Sequence, residues 1–428
     1  MARVLVLTSD VLPLGGRAAS GAALRAWGIG EALRECGHDV EFAMPKDHAR
    51  RVGADGQGIR FFEQLRLDAF LDAVDPDIAV FQHWPLVGAL RREHRASIVI
   101  DFHGPLLLET LFRDAGSVRP LVGLKLRALA RADYFTCASS SQLHYYAAYL
   151  LLAGFDLHEL PIAVMPFSMP PALPDHHEWP APPVFVYGGI FLPWQDPRTG
   201  LRVLVERLER AGAGELKMFG GRHPWMKLGS EERFEELRRM LDESERVTFT
   251  PMLPRTALVE EYTRASVAWD VMARNLEREL AFTSRTVEYL WCGLPVVYND
   301  YAELAEYIEE ADAGWTVDPE DEGAISAVVD EILREPETVR RKGENARRLA
   351  RERLAWDRTI RPLAEFCNGP RPPARLAPAP LVGGLKAEVV GLAKLARIAV
   401  PTLAKRRLER LVARVTPPNA AATRRDEP

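Results

Sequence analysis

The sequence has few cysteines and lacks the patterns that several common protein classes require. Its four cysteines are scattered along 428 residues without a C-x-x-C pair, which argues against a disulfide framework and a zinc site. No stretch reaches the ~18 apolar residues of a membrane-spanning helix. The apolar run Val4–Leu7 is too short for the core of a signal peptide and predicts a first β-strand instead. These absences make the cytoplasm the expected location.

An excess of basic residues is also missing from the chain as a whole. The 55 Lys and Arg against 60 Asp and Glu give a net charge of −5, which argues against a dedicated nucleic-acid binder. Hydrophobic residues at 47% and charged residues at 27% are typical of a globular protein. Since single cores stop growing near roughly 250–300 residues, the length predicts two or three domains.

The charge is unevenly distributed along the chain. Residues 368–428 contain twelve Lys and Arg and four Asp and Glu, a net +8, so residues 1–367 carry −5 − 8 = −13. The Pro-rich stretch 368–380 should act as a spacer before a basic tail, 381–428. Between 381 and 415, apolar residues cluster on one helical face and basic residues on the other, as in helices that lie in a membrane interface. The tail is expected to bind either an anionic membrane, at its inner face, or the acidic body of the protein itself.

Short strand-like runs alternate with longer helical segments in two blocks. The first block predicts strands at Val4–Thr8, Asp39–Ala43, Ile78–Phe81, Ile98–Asp101 and Tyr134–Ala138. The second block predicts strands at Val184–Tyr187, Leu216–Phe219, Val247–Thr250, Val267–Val271 and Pro295–Tyr298. This alternation predicts an α/β protein with two doubly wound, Rossmann-like domains, 1–169 and 184–350, joined by a Pro-rich linker, 170–183. The domains should face each other across a cleft, with ligands at the carboxyl ends of the strands.

Several candidate site residues follow predicted strands of the first block. Gly15 and Gly16 lie in a strand-to-helix turn, where backbone N–H groups can approach an anion, although the turn does not match G-x-G-x-x-G and an ordinary flexible turn is the alternative. His83 and Trp84 follow one strand and His103 follows the next. Both histidines should therefore lie at the edge of the sheet that binds ligands, or serve as structural hydrogen-bonding groups.

The most informative segment runs from residue 278 to residue 298. Thr283, Ser284 and Thr286 are placed to cap a helix that begins near Arg285, whose backbone N–H groups would hold a diphosphate. Arg285 adds a fixed positive charge suited to phosphate oxygens. Glu288, one turn further on, can accept hydrogen bonds from ribose hydroxyls. The alternative is an amphipathic helix that ends at a Gly-x-Pro stop.

These motifs, in this order, resemble the retaining GT-B glycosyltransferases of the large family numbered four, over roughly residues 1–366. In the first half the similar segments are the glycine turn, GHDV (Gly37–Val40), DPDIAVFQHWPLVG (Asp75–Gly88), IDFHG (Ile100–Gly104) and ADYFTCASSS (Ala132–Ser141). In the second half they are VYGGI (Val186–Ile190), TSRTVEYLWCGLPVVYND (Thr283–Asp300) and AGWTVDPED (Ala313–Asp321). The Glu-Tyr-Leu-x-x-Gly-x-Pro-Val core is the most specific of them.

The resemblance implies a GT-B fold and transfer of a sugar from a nucleoside-diphosphate sugar to a hydroxyl acceptor, with retention of configuration. The acceptor would be an envelope glycan, a lipid-linked molecule or a small molecule, and neither a metal nor a resident cofactor is expected. A terminal helix at 351–367 should pack back toward the first domain. The implied catalytic residues are His103, near the donor sugar, and Arg285. The implied donor-binding residues are Gly15, Gly16, Gly188, Gly189, Arg222, Met252, Leu253, Thr283, Ser284, Thr286 and Glu288. His83 and Trp84 are the candidates on the acceptor side.

The chain departs from the family pattern at two places. Many members have an Arg and a Lys that clamp the diphosphate after the first strand of the second domain, whereas Gly188–Pro197 has neither, so Arg285 and Arg222 would have to supply the charge. The usual first glutamate of a pair is absent, because position 280 is Leu and the nearest acid is Glu279. Two alternatives therefore stay open: a nucleotide-sugar epimerase of GT-B type, and a non-catalytic partner subunit.

Overall fold

The computed structural model describes residues 1–53, 58–175, 179–221 and 231–376. The described chain forms two α/β units, each built on a parallel sheet, and the predicted GT-B fold is confirmed. Arg222 and the basic tail, 381–428, lie outside the described residues. None of the described helices is long and apolar enough to cross a membrane.

The first unit contains a seven-stranded sheet in the order β3-β2-β1-β4-β5-β6-β7. Its strands are β1 Arg3–Leu7, β2 Asp39–Pro45, β3 Ile59–Phe62, β4 Ile78–Gln82, β5 Ser97–Phe102, β6 Tyr134–Cys137 and β7 Ile162–Val164. Its helices are α1 Gly21–Glu35, α2 Ala49–Val52, α3 Leu67–Val74, α4 Trp84–Gly88, α5 Leu106–Arg113, α6 Val118–Ala130 and α7 Ser140–Leu152. All five residues of the central strand β4 are buried, because helices cover both faces of the sheet.

The second unit contains a six-stranded sheet in the order β10-β9-β8-β11-β12-β13. Its strands are β8 Val184–Ile190, β9 Glu215–Gly221, β10 Val247–Thr250, β11 Val267–Asp270, β12 Val296–Asn299 and β13 Gly314–Val317. The helices that follow β8 are α8 Arg198–Ala211, α9 Glu231–Asp242, α10 Arg255–Thr263, α11 Leu276–Glu279, α12 Ser284–Trp291, α13 Glu303–Glu310, α14 Glu322–Arg334, α15 Pro336–Arg353, α16 Trp356–Thr359 and α17 Arg361–Asn368.

Three strands were missed by the sequence analysis, and all three lie at sheet edges. β3 and β7 close the first sheet, and β13 closes the second. Each has only three or four residues. Such short runs carry little alternating or apolar signal, because an edge strand packs against one neighbour and needs less hydrophobic surface.

The end of the described chain returns to the first unit. Leu363, Ala364 and Cys367 of α17 are buried in the cluster that also contains Val4 and Ile29. Further on, residues 374–376 form backbone hydrogen bonds with the loop after α7, from Asp156 N–H to the Ala374 carbonyl and from Leu376 N–H to the Gly154 carbonyl. The chain therefore leaves the described region on the surface of the first unit.

Direct hydrogen bonds also join the two units beside the cleft. The Glu303 carboxylate, at the start of α13, accepts from the backbone N–H groups of Ser140 and Ser141, each at 3.0 Å, at the N-terminus of α7. Gln142 Nε2 donates to the Leu280 carbonyl at 2.9 Å. These bonds tie α7 of the first unit to α13 and to the segment that precedes α12 in the second.

A buried ion pair holds α1 against the first sheet. Arg25 of α1 donates from Nε and Nη2 to the two carboxylate oxygens of Asp101 in β5, at 2.7 and 2.8 Å. Arg25 also donates to the Met165 carbonyl, and the Thr136 hydroxyl donates to Asp101. Both charged side chains are almost completely buried. Both Asp101 oxygens and two of the three Arg25 nitrogens therefore have hydrogen-bond partners inside the core, as a buried ion pair requires.

Arg25→Met should lower the free energy of unfolding by about 3–5 kcal/mol, because the Asp101 charge would remain buried without its partner. Arg25→Met combined with Asp101→Leu should be less destabilised than the single variant. Arg3→Met is a suitable control, since Arg3 pairs with Asp75 on the surface and both side chains are more than half exposed; it should change the free energy by less than about 0.5 kcal/mol. Urea unfolding measures all three. Equal effects of Arg25→Met and Arg3→Met would contradict the anchoring role of the buried pair.

Candidate active site

The predicted site residues of the two units meet across the cleft at the N-termini of α1 and α12. A Cβ atom at Gly21, the first residue of α1, would overlap the Ser284 hydroxyl and lie 3.7 Å from Cε1 of His103. A Cβ at Gly16 would lie 3.0 Å from Cγ2 of Thr256 in α10. Gly21 thus permits a close approach of two positive helix ends beside His103, and an anion placed there would be favoured by both.

The expected capping of α12 by threonine side chains is not formed. Thr283 is the N-cap residue, but its hydroxyl lies 2.9 Å from the Tyr298 hydroxyl and makes no capping bond. The Thr286 hydroxyl donates to Asp270, at the end of β11. Because Thr283 contributes no side-chain cap, the first backbone N–H groups of α12 remain suited to an external acceptor. Ser284 is the one of the three residues that lies against the opposite unit.

Arg285 is surrounded by groups of the second unit. Its Nε lies 3.6 Å from Oδ1 of the buried Asp270, and its Nη2 donates to Gln195 at 2.6 Å. Its guanidinium carbon lies 5.0 Å from the centroid of the Tyr187 ring. Burial disfavours the charge, but Tyr187 and Asp270 outweigh this effect and raise the pKa of Arg285. The positive charge that the sequence analysis assigned to the diphosphate is therefore partly neutralised by Asp270.

Glu288 is buried in α12 and forms an ion pair that the sequence analysis missed. Nη2 of Arg255, the first residue of α10, lies 3.0 Å from Oε1 of Glu288. Burial raises the pKa of Glu288, and Arg255 opposes this shift. The signal in the sequence was weak, since Arg255 is simply the residue after the Thr250–Pro254 turn.

Close packing requires the glycine pair near the end of β8, Gly188 and Gly189. A Cβ at Gly188 would overlap the Tyr262 hydroxyl, and Gly188 N–H donates to the Tyr289 hydroxyl at 2.7 Å. Gly189 has φ of +136°, and a Cβ there would lie 3.1 Å from Nη1 of Arg285. Both glycines therefore let α12 approach the end of β8 closely.

Met252 and Leu253 lie in the extended segment between β10 and α10, and both are half-buried. Their segment follows the carboxyl end of a strand, on the edge of the second sheet. It leads directly to Arg255 and Thr256, which face Glu288 and the glycine turn of the first unit. The segment that contains the predicted donor-binding residues Met252 and Leu253 thus leads to the residue that pairs with Glu288.

His103 and His83 are both neutral at physiological pH. Burial, with the nearby Arg25 charge, lowers the pKa of His103 to about 4. Burial, with His103 and Lys125 nearby, lowers the pKa of His83 to about 3. An imidazole that loses its proton near pH 4 cannot act as a general acid near neutrality, but it can orient a ligand by hydrogen bonding.

The two acceptor-side candidates have different environments. Trp84 is 1% exposed and belongs to the same buried hydrophobic cluster of the first unit as Val87 and Leu90. His83 has φ of 75° and ψ of 148°, a region that is almost restricted to glycine. Its backbone N–H donates to the Asp101 carbonyl at 2.9 Å. The surrounding structure therefore holds His83 in a strained conformation beside His103.

A cluster of charged residues in the cleft was also missed. Glu109 of α5 lies beside the His103–Gly104 turn, where a Cβ at Gly104 would be 2.8 Å from its Oε1. In the facing α11, Arg278 forms a bidentate pair with Glu277, at 2.6 and 3.0 Å. Burial and the charge of Glu277 raise the pKa of Glu109 to about 8. The available signal was an acid within the apolar LLLETL run.

Glu279, the acid that the sequence analysis took as nearest to the missing family position, does not face this cluster. It pairs with Arg274 at 2.8 Å, and the Arg274 side chain is largely exposed. Glu277, two residues earlier, is the buried acid of the segment. The difference follows from helix geometry, since residues two apart on α11 point to different sides.

Comparison with known proteins gives a family match for part of the chain. Residues 189–349, which include Glu288 and Arg255, match the model of the family described as glycosyl transferases group 1. No curated protein matches the sequence significantly. The family match thus covers most of the second unit, including α12, which lies on one side of the cleft.

Solved structures resemble the chain over most of its length. Sucrose-phosphate synthase from Thermosynechococcus elongatus is 17% identical, with 86% of this chain and 98% of that chain covered and a TM-score of 0.64. HepE from Anabaena, solved with UDP-glucose, is 14% identical, with coverage of 86% and 100% and a TM-score of 0.62. An alpha-glucosyltransferase solved with UDP is 13% identical, with coverage of 86% and 100% and a TM-score of 0.59. At these identities the likeness shows the fold, which is the GT-B fold, and the family match covers residues 189–349.

The free energy of unfolding of His83→Gly should exceed that of His83→Ala by about 1 kcal/mol or more, as measured by urea unfolding. Both variants lose the imidazole, but only glycine adopts this φ and ψ without strain. His144, exposed within α7, is a matched control. There the order should reverse, with Ala more stable than Gly by about 1 kcal/mol, as in any helix interior. A His83→Ala variant as stable as His83→Gly would show that position 83 is not strained.

Proposed function

We propose that the protein transfers a sugar from a nucleoside-diphosphate sugar to a hydroxyl acceptor, with retention of configuration and without a metal. The observation that carries the proposal is the convergence of the α12 N-terminus, Gly21 and His103 across the cleft, with Glu288 one turn further along α12. A diphosphate at the α12 N-terminus would place the ribose near Glu288 and the sugar near His103. The solved neighbours that contain UDP or UDP-glucose make a uridine nucleotide the first donor to test.

The chemistry proposed for this site depends on electrostatic stabilisation and positioning. When the bond between the anomeric carbon and the diphosphate breaks, negative charge grows on the leaving phosphate. The backbone N–H groups at the start of α12 and the Arg285 guanidinium would stabilise that charge. Neutral His103 would orient the sugar, and the departing phosphate would take the proton of the acceptor hydroxyl on the same face. Such a route needs no pair of acid and base carboxylates.

A second proposal concerns where the enzyme acts. Residues 374–376 are fixed on the first unit, where Arg375 donates to the carbonyls of Ala130 and Ala132 at 2.8 and 2.7 Å. The last described residues, which precede the basic tail in the sequence, therefore lie on the unit on which the acceptor side was predicted. We propose that the tail binds anionic lipid at the inner face of the membrane and brings this unit close to a lipid-linked or envelope glycan acceptor. Binding of the tail to the acidic body of the protein is the alternative.

Two other functions give different results with the same reagents. A nucleotide-sugar epimerase would convert the donor alone into an epimeric sugar nucleotide, whereas a transferase would need an acceptor. A non-catalytic partner subunit would show no stabilisation by UDP, GDP, ADP or dTDP in a thermal-shift panel. Mass spectrometry of the products then separates the two enzymes.

Glu288→Gln should weaken UDP binding by about tenfold or more, because a hydrogen bond to a charged acceptor contributes about 1.5–3 kcal/mol. Glu279→Gln is the control, because Glu279 lies shortly before Glu288 in the sequence but pairs with Arg274, whose side chain is largely exposed. The UDP affinity of this control should stay within about twofold of the parent. Isothermal titration calorimetry measures both. Unchanged affinity in Glu288→Gln would remove this residue from the ribose site.

Vesicle co-sedimentation tests the tail. The full chain should sediment with phosphatidylglycerol vesicles at low salt and much less at 0.5 M salt, because each basic residue near an anionic surface contributes about 1 kcal/mol that salt screens. A chain that ends at Leu376 keeps residues 374–376 on the first unit but lacks the basic tail, so it should stay in the supernatant. Neutral phosphatidylcholine vesicles should bind neither form. If the full chain also remained in the supernatant, the membrane proposal would be wrong and binding of the tail to the protein body would be favoured.

A further inference from the structure

The ion pair between Arg255 and Glu288 occupies the place at which the proposed donor ribose would bind. Arg255 begins α10, and Glu288 lies in the middle of α12, so the pair joins two helices of the second unit. The Arg255 side chain is 22% exposed and the Glu288 side chain 9%. The guanidinium carbon also lies 5.4 Å from the centroid of the Trp291 ring. The arginine is therefore held by a carboxylate on one side and an indole on the other.

The contact is to one carboxylate oxygen. Nη2 of Arg255 lies 3.0 Å from Oε1 of Glu288. A carboxylate can accept about four hydrogen bonds, so a single guanidinium nitrogen leaves most of its acceptor capacity unused. Arg255 can thus fix the carboxylate while Oε2 accepts from a ligand in the cleft.

No other charged group in the described chain lowers the pKa of Glu288. The groups packed near it are Tyr262 of α10 and Cys292, which follows the last residue of α12; burial raises the pKa of both, so both keep their protons near neutrality. Arg347 of α15 acts on Cys292. Without Arg255, burial would favour the protonated form of Glu288, and a neutral carboxyl is a poor acceptor.

We infer that Arg255 is a positioning residue of the donor site, which keeps the Glu288 carboxylate ionised and oriented for the ribose hydroxyls of the nucleotide. This inference rests on the proposed function. It assigns to Arg255 an indirect role, because the residue would act through Glu288 rather than on the phosphates or the sugar.

The expected pH dependence follows from the charges. Arg255 lowers the pKa of Glu288, so its removal raises that pKa and the carboxyl takes up its proton at a higher pH than in the parent. The variant should therefore bind worst at low pH and regain affinity as the pH rises and Glu288 ionises. The terminal phosphate of a nucleoside diphosphate also titrates, near pH ~6. Its effect is common to variant and parent, so the ratio of their affinities at each pH isolates Glu288.

The experiment compares Arg255→Gln and Arg255→Lys with the parent between pH 6 and pH 9. UDP and 2′,3′-dideoxy-UDP are titrated by calorimetry, because only UDP carries the ribose hydroxyls. Arg207→Gln is the matched control: Arg207 has a similar side-chain exposure of 21%, pairs with Asp330 and lies on α8. Circular dichroism and the melting temperature check that every variant is folded.

The parent should prefer UDP over the dideoxy nucleotide by about tenfold at every pH. In Arg255→Gln this preference should fall below about threefold at pH 6 and recover toward the parent at pH 9. Arg255→Lys should restore most of it at pH 6, and Arg207→Gln should match the parent throughout.

Three outcomes would overturn the inference. A parent that binds no nucleotide would reject the proposed function itself. A parent that binds UDP, with an Arg255→Gln variant of the same preference at all pH values, would reject only the role of Arg255. A loss in Arg255→Gln that is equal at all pH values and for both nucleotides would show direct contact with the phosphates, and would also reject a role through Glu288.

Discussion

The buried pair of Arg25 and Asp101 is the interaction on which the cleft of the first unit depends. Arg25 lies about one turn after Gly21, so the pair sets how far the N-terminus of α1 extends toward the second unit. Asp101 lies two residues before His103, and its carbonyl also accepts from His83. This one buried ion pair therefore positions the N-terminus of α1, His83, His103 and the end of β5. Its geometry has little freedom, because any displacement would leave a buried charge without a partner.

The charged residues of the second unit are arranged differently from those of the first. Its cations face acids: Arg285 lies by Asp270, Arg255 by Glu288 and Arg278 by Glu277. The segment Gly188–Pro197 contains neither Arg nor Lys, and its two glycines let α12 lie close to β8. Stabilisation of a diphosphate would then rely mainly on backbone N–H groups at a helix end. Fixed dipoles of this kind need no reorganisation when charge develops, which suits a reaction driven by electrostatics.

The contacts between the units explain why the site can be formed from two halves. Glu303 binds the N-terminus of α7, Gln142 reaches the Leu280 carbonyl, and α17 packs on the first sheet. These bonds use backbone groups near the cleft and hold the segment before α12 in register with the first unit. Residues 374–376 then extend the return of the chain along the first unit.

The sequence by itself determined the two parallel sheets and their central strands, because buried strands and amphipathic helices have periodic patterns that local residues specify. It also indicated Ser284, Glu288 and His103. Only the tertiary structure decided which groups are free to bind: the Thr283 and Thr286 hydroxyls are engaged, Trp84 is core, and Arg285 is partly neutralised. Arg255, Glu109 and Glu277 could not be found by pattern, since their importance comes from burial and from partners distant in sequence. Pairing of charges across elements is a property of three-dimensional packing.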